Sequence, residues 1–268
     1  MTKINLAFSP CPNDTFVFDA LVHQRIDLEG LDFQYTMLDV ETLNHLAMNN
    51  NIDMVKVSYH AYLYLQSSYL LLDSGGAMGL GNGPLLISKK PYTLDDLHRL
   101  TVAIPGKYTT AHLLLQLVTP SVKEKQFMLF SDIEDAVLQG KVDAGLIIHE
   151  NRFTYKKKGL KKIADLGEYW EKLTASPLPL GCIAARKTLG DDCINALNRI
   201  MFRSVQYAMK HPDDAMPFVR QNAREMEDEV MMQHINLYVN DYTLSSGKQG
   251  KTALAFLLKL ARERGIIN

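Results

Sequence analysis

Short apolar runs alternate with stretches of helical period through the first two-thirds of the chain. The apolar runs, each about four to eight residues long, predict strands. They fall at Asn5–Phe8, Leu31–Leu38, Ile52–Val57, Leu85–Ser88, Thr101–Ile104, Gln126–Leu129, Val142–Ile148 and Cys182–Ala185. Helical patterns lie between them, as at Val40–Met48 and Ile133–Leu138. Strands separated by helices imply βαβ units and mainly parallel sheets. From about Asp191 the pattern is helical almost to the end, punctuated by Gly247 and by His211-Pro212, where the proline opens a new helix.

Three internal resemblances organise these elements. NIDMVKVSYH (51–60) aligns with KVDAGLIIHE (141–150), so that Asp53 matches Asp143 and Ser58-Tyr59 falls opposite Ile148-His149. LAFSPCPNDTF (6–16) aligns with VAIPGKYTTAH (102–112), each reading strand, proline-containing loop, then helix start. GPLLISKKPYTLDDL (83–97) aligns with PLGCIAARKTLGDDC (179–193). Together they predict two α/β lobes built to one plan. The expected division is 1–88 plus 185–268, with the C-terminal helices, against 89–184. The lobes would be joined by two crossover segments with a ligand cleft between them. Ligands in such sheets sit beyond the carboxyl ends of the strands.

The stretch SPCPNDTF (9–16) carries two prolines around a cysteine between a strand and a helix. Pro10 and Pro12 fix φ and remove two donors, so the connection is stiff. Asn13, Asp14 and Thr15 are all suited to cap the helix that follows. Either this is a well-capped turn, or a rigid loop that presents a helix start to a ligand. Lys56-Val57-Ser58 and Tyr108-Thr109-Thr110-Ala111 supply hydroxyls and helix-start amides suited to a carboxylate or polyol. Simple capping by Thr109 or Thr110 is the plainer alternative. His149 is the first polar side chain after an apolar strand, placed to exchange a proton near neutral pH or merely to cap that strand. GGAMGLGNGP (75–84) precedes a strand rather than a helix, which excludes a dinucleotide fingerprint and leaves close backbone approach or hinge freedom.

Other features read as structure. YKKKGLKK (155–162) reads as a solvated face. Met226, Val230, His234 and Leu237 have helical spacing and read as core or subunit contacts, which leaves a homodimer open. The remaining histidines form no HxxxH or HExxH set, so no metal site is expected, though His60 and His112 lie near the proposed cleft segments. A formal net charge of −1 over 268 residues argues against nucleic-acid or membrane-surface partners. Three cysteines without metal spacing read as free thiols in a reducing compartment, with Cys11 structural. After Met1 no secretory pattern is readable, so the expected location is the cytoplasm.

SPCPNDTF, VKVSYHAY, GKYTTAHLLL and GLIIHENRF, in this order, resemble the 1,4-dihydroxy-6-naphthoate synthases of the futalosine route to menaquinone. That resemblance spans essentially the whole chain. It implies a periplasmic-binding-protein type II fold used as a cofactor-free carbon–carbon lyase on cyclic dehypoxanthinyl futalosine, a small anionic substrate. The sugar-derived part is released and the bicyclic remainder aromatises. It further implies His149 as the base, with Lys56, Val57, Ser58, Thr110 and Ala111 binding substrate and Thr109 adjacent. The rivals are a chorismate dehydratase of the same fold and pathway, and a non-catalytic solute-binding protein.

Overall fold

A computed structural model describes residues 2–223 and 227–267. Its first unit comprises Met1–Met78 and Leu180–Lys251, and its second Gly79–Pro179 together with the chain from Thr252 onward.

The first unit opens with β1 (Thr2–Phe8), α1 (Pro12–Val22), β2 (Leu31–Met37), α2 (Val40–Met48), β3 (Met54–Ser58), α3 (Tyr59–Leu65), β4 (Tyr69–Leu71) and β5 (Ala77–Gly79). The second holds β6 (Leu85–Ser88), β7 (Thr101–Ile104), α4 (Thr110–Val118), β8 (Glu124–Phe127), α5 (Ile133–Leu138), β9 (Ala144–Ile147), α6 (Asn151–Thr154), β10 (Lys161–Asp165) and α7 (Leu166–Thr174). The chain then returns through β11 (Leu178–Arg186) to α8 (Asp191–Lys210), α9 (Pro212–Asn222), α10 (Asp228–Tyr238), α11 (Asp241–Leu244) and α12 (Gly247–Glu263).

The two sheets share one topology. Along its main path the first runs β2-β1-β3-β11-β4, with β5 also paired to β11, and the second reads β8-β7-β9-β6-β10 in the corresponding direction. In each, the first three strands are parallel and the other two pairings antiparallel. The aligned acids occupy equivalent places. Asp53 Oδ2 accepts the Asn5 amide at 3.0 Å while the Asp53 amide donates to Asn5 O at 3.1 Å. Asp143 Oδ2 accepts the Thr101 amide at 3.0 Å, and the Asp143 amide donates to Thr101 O at 3.0 Å. Each strand start is thus tied to its neighbour by the same pair of bonds, which is why the short sequence alignments carry structural meaning.

The boundaries differ from the expected 88/89 and 184/185. Leu85–Ser88 pairs with β9 and β10, so the crossing comes before this strand, and β11 enters the first sheet from Leu178. The C-terminal helices do not all belong to the first unit, because the chain from Thr252 groups with the second. Ala253, Leu257 and Ala261, four apart, form the buried stripe of α12 there.

The first unit's core joins β1 and α1 to α8, α9 and α10 through Phe8, Phe18, Leu197, Met201, Phe218 and Ile235. The second unit's core gathers Ile87, Ala103, Ile133, Val137, Ile147 and Tyr155. On α10 the buried face is Met231, His234, Ile235 and Tyr238, with Val230 and Leu237 only half-buried. Met226 lies outside the described residues. No helix among the described residues is long and apolar enough to cross a membrane.

Candidate active site

In the first unit the chemistry collects where β1 passes into α1. The N-cap of α1 is Cys11, in extended conformation and with no side-chain cap bond, and Pro12 occupies the first helical position. Asn13, Asp14 and Thr15 therefore do not start the helix. Proline suits the first turn, where its missing N–H costs nothing, and this moves the start ahead of the three polar residues. Thr15 Oγ1 turns back to Cys11 O at 3.1 Å. Asn13 and Asp14 are released for other partners, both buried.

Asp14 is the hub. Its Oδ2 accepts Ser9 Oγ at 2.7 Å, and its Oδ1 accepts Asn13 Nδ2 and Lys56 Nζ, each at 2.8 Å. Lys56 comes from β3, all five of whose residues are buried, and is itself 7% exposed. An ammonium so buried needs a counter-charge, which Asp14 provides, and Lys56 Nζ also donates to Gly75 O at 3.1 Å. Gly75 holds φ +83°, and a Cβ there would lie 2.7 Å from Ile183 Cγ1. Asn13 Oδ1 lies 2.9 Å from Nε2 of His234, which α10 supplies. Because the Asn13 amide nitrogen donates to Asp14, its oxygen accepts, and His234 carries its proton on Nε2.

Ser58 caps α3: its Oγ accepts the Ala61 amide at 3.1 Å, and its own amide donates to Asn44 Oδ1 at 3.0 Å. The Val57 side chain is fully buried, so its polar contribution is main-chain only. Within the glycine-rich stretch, close packing holds at Gly75 and at Gly83, where a Cβ would lie 2.3 Å from the Gly167 amide, while a Cβ on Gly81 would meet open space.

In the second unit the counterpart of SPCPNDTF runs from Pro105 to α4. Thr109 is the N-cap, accepting the His112 amide at 3.3 Å and donating to Gly106 O at 3.0 Å. Thr110 and Ala111 follow as the first helical residues, both 3% exposed, and first-turn amides have no partner within the helix. His112 Nδ1 lies 2.7 Å from Lys107 O, and its ring meets Phe127 edge-on. Burial holds its pKa below the ordinary histidine value, partly opposed by the bond to the Lys107 carbonyl. His60 is buried in α3 beside Tyr64.

His149 stands two residues beyond β9, half-buried, with φ +58° in the left-handed region. Its ring meets Phe130 edge-on, centroids 5.0 Å apart. The turn is pinned just downstream. Asn151 Nδ2 donates to buried Glu134 at 2.8 Å, and Arg152 reaches Gly83 O at 2.7 Å and Asp165 at 3.3 Å. A strained backbone held by such anchors is characteristic of functional positions. Burial raises the Asp165 pKa, against its bond from the Gly167 amide and the charge of Arg152.

The sequence reading singled out Lys56, Val57, Ser58, Thr109, Thr110, Ala111 and His149. It read Asn13 and Asp14 as candidate caps, with Ser9, Asn13 or Thr15 as the residues a stiff loop would turn toward ligand, His234 as a core or subunit-contact residue, and Phe130 and Glu134 not at all. Polar residues at a proline-opened helix start were the one available signal for the first pair. Among the described residues, no group of three or more His, Cys, Asp or Glu is placed to hold a metal ion.

The model of a family described as menaquinone biosynthesis matches residues 4–263. A Thermus thermophilus protein named 1,4-dihydroxy-6-naphtoate synthase is 44% identical over 266 residues, 99% of this chain and 96% of that protein. A Streptomyces coelicolor protein of the same name is 43% identical over 270 residues, covering 98% and 94%. Among solved structures, protein AF1704 from Archaeoglobus fulgidus superposes with a TM-score of 0.94 at 36% identity, covering 99% and 98%. The ligand-binding component of an ABC-type import system from Staphylococcus aureus gives 0.74 at 12% identity, covering 100% of this chain and 94% of that one, a likeness of fold alone. The fold is that of the periplasmic binding proteins.

Proposed function

The chain belongs to the menaquinone biosynthesis family, and we propose that it works there as a 1,4-dihydroxy-6-naphthoate synthase. The observation that carries this reading is its 43–44% identity, over nearly the full length of both, to two proteins of that name. On this reading the substrate is cyclic dehypoxanthinyl futalosine. Its sugar-derived part leaves by carbon–carbon cleavage, and the bicyclic remainder aromatises. His149 is the base that starts the fragmentation. Its half-buried ring, held against Phe130, suits a group that must be reachable yet partly dry. On this reading Lys56, Val57 and Ser58 are the substrate-binding residues of the first unit and Thr110 and Ala111 those of the second, a buried ammonium and helix-start amides each suiting an anionic group. Thr109 fixes that helix start by capping it.

The reading brings further expectations. The enzyme would act in the cytoplasm without an added cofactor, on a small anionic substrate, with neither nucleic acid nor membrane as a partner. A homodimer is compatible with it.

The test is product formation from cyclic dehypoxanthinyl futalosine, followed by mass spectrometry with no metal or nucleotide added, for wild type and His149→Ala. Dihydroxynaphthoate from wild type and none from a folded, substrate-binding variant supports lyase chemistry with His149 as base. An inert wild type sinks the assignment, and chorismate is then the substrate to try. A fully active variant places the base elsewhere, with His60 and His112 the next to replace.

A further inference from the structure

The SPCPNDTF stretch has no role in the reading above, yet it builds a continuous buried polar cluster in the first unit. Ser9, Asn13, Asp14, Lys56 and His234 are each less than a tenth exposed and hydrogen-bond in one continuous chain. Four elements contribute: the β1–α1 loop, the first turn of α1, strand β3 and helix α10. Burying five polar side chains where an apolar core would fold as well is expensive unless geometry is what they secure.

The geometry they secure is that of one ammonium. A lysine has three N–H donors. Asp14 Oδ1 takes one and Gly75 O a second. The stem is confined as well, since Gly181 on the neighbouring strand sits where a Cβ would come within 3.1 Å of Lys56 Cε. With two donors fixed, the direction of the third is fixed.

We propose that Asp14 is the positioning residue for Lys56, itself set by Ser9, by Asn13 and, through Asn13, by His234, so that the third Lys56 N–H is aimed at an anionic group of the substrate. This rests on the reading of Lys56 as a substrate-binding residue. The SPCPNDTF loop is then the anchor of a cation rather than a ligand contact in its own right. The prolines place the helix start ahead of Asn13 and Asp14, which turns their side chains from capping to holding the lysine. His234 extends the anchor into the C-terminal helices, so α10 takes part in setting the site while touching no substrate. Without Asp14, the ammonium is left buried without its counter-charge and either turns to another acceptor or draws in water. In both cases the directed, charge-assisted bond to substrate is lost.

Steady-state kinetics on cyclic dehypoxanthinyl futalosine test this with Asp14→Asn, His234→Gln, Lys56→Met and the Asp14→Asn/Lys56→Met pair. Asp14→Asn is expected to raise KM about tenfold, a larger factor than any fall in kcat, and His234→Gln to raise it about threefold. In the Lys56→Met background Asp14→Asn should add no further rise, because both act through one group. An Asp14→Asn KM that is unchanged or lower, or losses that multiply in the double variant, overturns the proposal. A His234→Gln variant with reduced Tm but wild-type KM overturns the part assigned to α10. Should Asp14→Asn not fold, Asn13→Ala removes one bond to Asp14 and must still raise KM. Failure of the functional reading looks different, as a wild type inert on this substrate. A crystal structure of Asp14→Asn decides the inference in that event too: Lys56 Nζ leaves Gly75 O if Asp14 positions it, and stays if it does not.

Discussion

The imidazole of His149 lies edge-on to the Phe130 ring, centroids 5.0 Å apart, on a backbone held at φ +58°. A left-handed conformation costs a residue with a Cβ about 1 kcal/mol, and glycine almost nothing. The chain adopts this conformation at His149, the residue proposed above as the base.

The strain gives a sign that can be measured. His149→Gly should be more stable than His149→Ala by about 1 kcal/mol, reversing the usual advantage of alanine. Both variants should lack turnover. Urea unfolding of the two proteins reads the difference, and an alanine variant equal to or above the glycine one removes the argument for strain.

Gly181→Ala tests the confinement of Lys56 from the opposite side. The added Cβ would sit 3.1 Å from Lys56 Cε and 3.3 Å from the Val57 carbonyl oxygen. The end of a lysine yields where a strand carbonyl does not, so the lysine moves. The expected result is a KM raised several-fold with stability lowered by only about 1 kcal/mol. A large loss of stability at unchanged KM would show that the strand, not the lysine, gave way.

Much of this architecture was legible because periodicity is local. Val40–Met48, Leu85–Ser88, Thr101–Ile104 and Ile133–Leu138 stand as elements with the bounds the pattern gives. Lys161 and Lys162, read as the end of a solvated face, open the strand Lys161–Asp165. Its lysines are indeed exposed, but pairing with β6 makes it an edge strand, and pairing is a property of the neighbour. On α10 the reading placed His234 on the buried face but took Val230 and Leu237 where Met231 and Tyr238 are buried, because the same spacing fits both and only packing chooses. His149 was legible as the first polar side chain after an apolar strand. Phe130 was not, nor was the bond from His234 to Asn13, since contacts between residues far apart in sequence leave no periodic trace. Asp14 was seen as a cap and is a counter-ion. The cap rules are local, and the lysine that claims it comes from another strand.

The paired acids Asp53 and Asp143 make equivalent bonds in unequal surroundings. Asp53 is 6% exposed, accepts both the amide and the side-chain nitrogen of Asn5, and pairs with Arg186. Asp143 is exposed and accepts the Thr101 amide. Removing a buried charge-assisted hub strands its partners, whereas water replaces an exposed acceptor. Asp53→Ala is therefore expected to cost about 3 kcal/mol and Asp143→Ala about 1 kcal/mol. Equal losses in chemical denaturation would mean that topology rather than burial sets the value of these bonds.

Burial at the start of α4 gives the stability a pH dependence. The His112 pKa lies below its ordinary value of 6.5, chiefly through desolvation, with the charges of Lys125 and Lys107 adding to the effect and the Lys107 carbonyl opposing it. The unfolded chain therefore takes up this proton first as the pH falls. Stability from keeping His112 neutral is fully present above about pH 6.5 and is lost as the pH drops toward the lower folded-state value. Wild type should accordingly lose stability between about pH 7 and about pH 5, and His112→Gln, which has no proton to gain, should lose less over the same range. The measurement is the unfolding free energy of both proteins at several pH values across that window. The difference between the two curves isolates His112 from the other titrating groups. Parallel curves would mean that protonation of His112 is no harder in the folded protein than in the unfolded chain.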